Sequence, residues 1–166
     1  MLRSPAPRPA RWSLGAVFAL VVGAITLLAA PVAHAQALKG KVVVSDAEFG
    51  TGFGTDAEMM KAVKKQAKTT IKGDGGTWTL NLMVFLNAAP GADTINIVYY
   101  DVSVKPRDQV NFSEVKVQPT QKIVQVNGVS ISKDLGFVKG HKYDVLATRI
   151  IGGKEKIYAK GTITLK

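Results

Sequence analysis

Cysteine is missing from all 166 residues. Disulfides, thiolate metal sites and lipid attachment through an N-terminal Cys are therefore excluded. Histidine occurs only as His34 and His141, too few for a transition-metal site without other soft ligands. Arginine is scarce beyond residue 35, where Arg107 and Arg149 stand against 17 lysines. Lysine is a hydrated point charge, whereas bidentate reading of phosphates and base edges favours arginine. The net charge of +10 thus suits solubility or loose attraction to anionic surfaces better than nucleic-acid recognition. Aromatic residues make up 7%, and no Gly-x-Ser-x-Gly run marks a nucleophile elbow.

Residues 1–35 read as a Sec-type export signal. Arg3, Arg8 and Arg11 form a basic start, Leu14 to Ala30 is an apolar run, and Ala33-His34-Ala35 fits the small-x-small cleavage rule. The 17-residue apolar run is short for a membrane span of about 20 residues. Cleavage after Ala35 is expected, with an uncleaved N-terminal anchor as the alternative. The periplasm or the extracellular space follows as the location. Removing the three signal arginines leaves 19 basic and 12 acidic residues, a net of +7. Residues 36–166 are long enough for one domain with its own core.

Within that domain the stretch from Phe49 to Lys68 departs from its surroundings. Gly50, Gly52 and Gly54 are interleaved with Phe49 and Phe53 and lead into a helix expected over about 56–69. Thr55 and Glu58 have capping-box spacing. Asp56 and Glu58 near the start and Lys64, Lys65 and Lys68 toward the end suit the macrodipole. Met60, Val63, Ala67 and Ile71 recur on one side, and Lys61, Lys64, Lys65, Lys68 and Lys72 on an adjacent one.

Beyond Thr77 the period changes to 2. Trp78, Leu80, Leu82, Val84 and Leu86 share one strand face; Ile95, Ile97 and Tyr99 alternate with Val98, Tyr100 and Val102 in the next. Slipped parity between Phe112 and Val115 suggests a bulge near Ser113-Glu114. Asn127-Gly128 between Ile123–Val126 and Val129–Ser132 predicts a type I′ hairpin. Strands over about 140–150 and 156–165 close the chain. The expected fold is mainly β: an antiparallel sandwich of 7–8 strands with one short amphipathic helix between the first two. The last forty residues, with Tyr143 at a strand start after Gly140, resemble the closing strands of immunoglobulin-like and fibronectin-like domains, where a tyrosine corner sits. That resemblance is architectural, covers about a third of the chain, and implies no function.

Candidate sites are few. The strand, Gly-x-Gly-x-Gly, helix order is similar to dinucleotide loops, but the spacing is wrong and Asp56 and Glu58 would repel phosphate at the helix start. No cofactor is expected. Ser130, Ser132, Asp134 and Asp144 lie near His141 in sequence without triad spacing, so His141 reads as a surface loop residue. Asp46, Asp74, Asp93, Asp101, Asp108, Asp134 and Asp144 lack calcium-loop spacing. Tyr99 and Tyr100 point to opposite faces, so one should be exposed, and beside Asn96 or Asp101 it could meet carbohydrate or protein. The lysine side of the helix could contact anionic lipid, lipopolysaccharide or acidic polysaccharide. The expectation is an exported, non-enzymatic binding or structural module of the cell envelope. The partner is an envelope component or another protein, with no nucleic acid, and the membrane is met only through an uncleaved segment or weak electrostatic contact. The alternatives are an anionic-surface binder using the Lys61–Lys72 face, and a small carboxylate-dependent hydrolase or lyase.

Overall fold

The computed structural model describes residues 38–166. The expected export signal and its cleavage point after Ala35 lie outside the described residues. Strands dominate, in the order β1 (Lys41–Ser45), α1 (Asp56–Gln66), β2 (Thr70–Ile71), β3 (Thr77–Phe85), β4 (Thr94–Asp101), β5 (Asp108–Lys116), β6 (Ile123–Ser132), a 3-10 turn at Lys133–Leu135, β7 (Lys142–Ile151) and β8 (Lys154–Leu165).

All eight strands belong to one sheet. Its hydrogen-bonded path is β5-β4-β7-β8-β1-β3-β6, and β2 adds to β8. Most pairings are antiparallel, but β1 and β2 meet β8 in parallel, at Lys41↔Lys160 and at Thr70↔Thr164 and Ile71↔Leu165. The two short strands thus share the flank of β8, β1 at its middle and β2 at its C-terminal end. The Lys68 N–H on the Val44 carbonyl (2.8 Å) carries the chain from the first to the second.

Alternation with period 2 puts one apolar set on the inner face of every long strand. Leu80, Leu82 and Val84 of β3, Ile95, Ile97 and Tyr99 of β4, and Tyr143, Val145 and Ala147 of β7 join one buried cluster with Trp78, Ile131 and Ile163. Each fully buried Val, Leu or Ile among them contributes about 1.5–3 kcal/mol by leaving water. Strands from both ends of the path share this cluster, so the sheet curls until it is nearly closed. Side chains complete the seam. The Phe137 ring, just past β6, packs edge-on against Tyr99 of β4 at 5.5 Å. Gly136 lies so near Val110 of β5 that a Cβ there would stand 3.1 Å from Val110 Cγ1.

From Leu80 onward the β3 strand is buried on both faces, because its outer residues Met83 and Phe85 meet a second cluster with Leu38, Phe49, Met60 and Val63. Helix α1 therefore lies on the outside of the sheet. Phe49 sits under the helix and not in the main core, and Phe53 is half-buried.

The expected mainly β fold with one helix between the first two strands is present, and its strand pairing follows one nearly closed path. Several expectations change. The helix ends at Gln66 rather than near residue 69. Ala67 is its exposed cap, and Ile71 belongs to β2 and the main core. Asn127-Gly128 does not reverse the chain. The β6 strand runs through it opposite β3, where Leu80 pairs with Val129 and Leu82 with Val126. Asn127 and Gly128 are thus a bulge facing Asn81, whose buried side chain accepts the Gly128 N–H at 2.9 Å. Gly128 has φ +67, and a bulge uses that conformation as readily as a turn does. The β5 irregularity falls at Val110, between the pairs Tyr99↔Asn111 and Tyr100↔Gln109, not at Ser113-Glu114.

Candidate functional site

The lysine face is built from the sequence features that start and dock α1. The Thr55 hydroxyl accepts the Glu58 N–H at 3.2 Å, as the capping spacing requires. Met60 and Val63, at 1% and 0% exposure, fix the helix on the sheet. With that side held, Lys61, Lys64, Lys65 and Lys68 are exposed, and so is Lys72 beyond β2. Lys68 Nζ is 4.0 Å from Asp46, with both side chains half in water, so this pair adds little stability. Between the helix end and β1 lies a cleft of about 440 Å³ bordered by Ser45, Asp46, Lys65, Gln66 and Lys68. Gln66 Oε1 is buried there without a hydrogen-bond partner. At the opposite end, the Glu58 carboxylate folds back to within 3.1 Å of where a Cβ on Gly54 would stand. An approaching phosphate would meet that carboxylate at the glycine loop.

His141 has a partner that sequence proximity did not indicate. Its Nδ1 lies 2.6 Å from Oδ2 of Asp101, which is only 5% exposed at the end of β4. The other Asp101 oxygen accepts the Ser103 N–H at 2.8 Å, and the Ser103 hydroxyl accepts the Lys142 N–H at 2.8 Å. These bonds strap the exit of β4 to the start of β7. Asp144, nearer to His141 in sequence, is engaged elsewhere, by Lys160 at 2.7 Å and the Thr162 hydroxyl at 2.9 Å. The signal that could have found the pair was an acidic residue closing an apolar strand. Among the described residues, no group of three or more His, Cys, Asp or Glu could hold a metal ion.

Tyr143 accepts the Val138 N–H on its hydroxyl at 2.7 Å. Burial pushes its hydroxyl pKa up, opposed in part by that N–H, with the Asp101 charge adding to the rise. Tyr99 is 1% exposed and its hydroxyl has no partner among the described residues; burial pushes it well above the usual tyrosine range. Of the two neighbouring tyrosines, Tyr100 is the one with solvent access, and it is half-buried. Arg107 stacks on its ring at 4.3 Å, and its hydroxyl reaches Gln109 at 3.3 Å and Glu155 at 3.4 Å. Tyr100 pairs with Asp144 in the ladder, six residues before Ile150, the partner of Glu155. A straight strand would separate those levels by about 20 Å. The contact therefore requires the β7–β8 arm to bend back, and the ladder shifts between Ala147 and Thr148.

A second recess, about 450 Å³, lies beside the 3-10 turn. Trp78, Phe137 and Val138 form its mostly apolar wall, with Gly76, Lys133 and Lys139 around them. No family model, curated protein or solved structure matches this chain.

Proposed function

We propose that the chain is an exported, non-enzymatic module of the cell envelope that engages an anionic surface through the lysines of the Lys61–Lys72 segment. Export rests on the basic, apolar and small-x-small order of residues 1–35. Periplasmic or extracellular residence follows from it. The observation that carries the contact is the orientation of α1. Met60 and Val63 are spent on the sheet, which leaves Lys61, Lys64 and Lys65 in water, and Lys68 and Lys72 are exposed beyond the helix end. Five like charges on one short segment attract lipid headgroups, lipopolysaccharide or acidic polysaccharide at long range, and salt screens that attraction. The immunoglobulin-like comparison enters this reading through Tyr143 alone, whose hydroxyl takes the upstream Val138 N–H as a tyrosine corner does.

Retention on heparin or on anionic vesicles should fall steeply with salt. It should fall further in the Lys64→Glu, Lys68→Glu double variant. Equal retention of the double variant and the parent would overturn the proposal. For export, N-terminal sequencing of the released protein should begin at Gln36. A Met1 start in the membrane fraction would replace release with an anchor.

A further inference from the structure

We propose that the recess beside the 3-10 turn binds a small amphipathic anion, an acyl chain bearing one carboxylate. The site is separate from the α1 lysines. Its wall joins Trp78 at the start of β3 to Phe137 and Val138, in the segment linking β6 to β7. About 450 Å³ falls within the range of small-molecule sites.

The lining is fixed before any ligand arrives. The Val138 N–H is held by the Tyr143 hydroxyl at 2.7 Å, and the Val138 carbonyl accepts the His141 N–H at 3.2 Å. Phe137 is set between the Tyr99 and Tyr143 rings, at 5.5 and 5.1 Å. The Lys133 N–H is bound to the Gly76 carbonyl at 3.0 Å, and the Gly136 N–H closes the turn on the Lys133 carbonyl at 3.0 Å. A preformed wall avoids most of the ordering cost of binding.

Charge decides the ligand class. Lys133 and Lys139 are both exposed and both border the recess. The stem of Lys133 crosses Gly76, where a Cβ would stand 3.2 Å from Lys133 Cδ. The ammonium is thus carried at the rim by a stem lying on the floor. Asp134, on the same turn, does not border the recess. Val138 remains 45% exposed, an apolar surface for a chain to cover. Trp78 and Phe137 are 2% and 1% exposed, so Val138 carries the apolar surface; a neutral apolar molecule would make no use of the two cations, and inorganic phosphate would leave Val138 uncovered. An acyl carboxylate satisfies both.

Trp78 reports on the site. In the full chain carrying Trp12→Phe it is the one tryptophan. Titration with octanoate and laurate, each below its micelle concentration, should change its emission saturably. Octanol and inorganic phosphate should not. Replacing Lys133 and Lys139 with Met keeps apolar stems and removes both charges. This pair should weaken laurate binding at least tenfold, while Lys64→Glu, Lys68→Glu leaves it unchanged. A second test is Val138→Phe in the same Trp12→Phe chain, which should fill the recess and abolish the octanoate response of Trp78 at unchanged melting temperature. The proposal is overturned if laurate leaves Trp78 unperturbed, if the double Met variant binds laurate as tightly as the parent, or if only phospholipid vesicles and no monomeric carboxylate give a response.

Discussion

Gly161 lies where β8 passes β1, one residue after the Lys41↔Lys160 parallel pair. A Cβ at this position would overlap the Val42 carbonyl oxygen. It would also stand 3.0 Å from Val42 Cβ and 3.1 Å from Val42 C, where ordinary contact begins at 3.4 Å. Nothing at the end of a flexible side chain can give way, because the obstacle is backbone. Gly161→Ala must therefore push β1 from β8. Overpacking of this kind costs about 1–3 kcal/mol. In a domain of about 130 residues, unfolding entropy scales this to a fall in Tm of about 4–11 °C. Thermal unfolding followed by circular dichroism, with urea midpoints alongside, measures it. Gly50→Ala is the control. A Cβ there meets only the Phe53 ring at 3.6 Å, so its stability should stay within about 0.5 kcal/mol of the parent. An unchanged Tm for Gly161→Ala would show that β8 and β1 do not approach as described, and the nearly closed path would open at that point.

Other consequences follow from buried groups. Tyr99→Phe removes a hydroxyl that is buried without a partner and should be neutral or stabilising by up to about 1 kcal/mol. Because the folded Tyr99 resists ionisation while the unfolded one ionises near pH 10, stability should drop as pH rises beyond about 10. That alkaline drop should be shallower in Tyr99→Phe, and identical slopes in urea titrations at pH 9 and 11 would refute the assignment. Met60→Ala should cost about 2–4 kcal/mol by emptying the space between α1 and the outer face of β3. Hydrogen exchange should then speed up in α1 before the β7 and β8 amides respond, and uniform acceleration would contradict a helix docked from outside. His141→Ala removes the imidazole from the buried Asp101 carboxylate, leaving it the Ser103 N–H and the nearby Tyr143 hydroxyl, and should destabilise by about 1–3 kcal/mol. A midpoint equal to the parent's would show that the strap carries no load.

Local signals decided much of this protein. The change of period at Thr77 announced β3, because Leu80, Leu82 and Val84 could all be buried on one face only in a strand. Thr55 and Glu58 marked the helix start within a residue, since a cap is set by neighbours three positions apart. The exposure of Lys61, Lys64 and Lys65 followed from Met60 and Val63 beside them. Other features depended on partners far along the chain. Asn127-Gly128 offers a positive φ to a hairpin and to a bulge alike, and the choice was made by Asn81, 47 residues away, which accepts the Gly128 N–H. His141 found Asp101 across 40 residues because β4 and β7 are neighbours in the sheet. Ile71 continued the helical stripe in sequence, yet it joins β8 in parallel, a pairing between chain segments that no local period encodes. The amino-acid order by itself thus fixed which residues could be strand, cap or solvated face. Only the tertiary structure decided how the sheet closes and where Trp78, Phe137 and the two rim lysines meet, because closure is a long-range packing choice made by strand neighbours rather than by sequence neighbours.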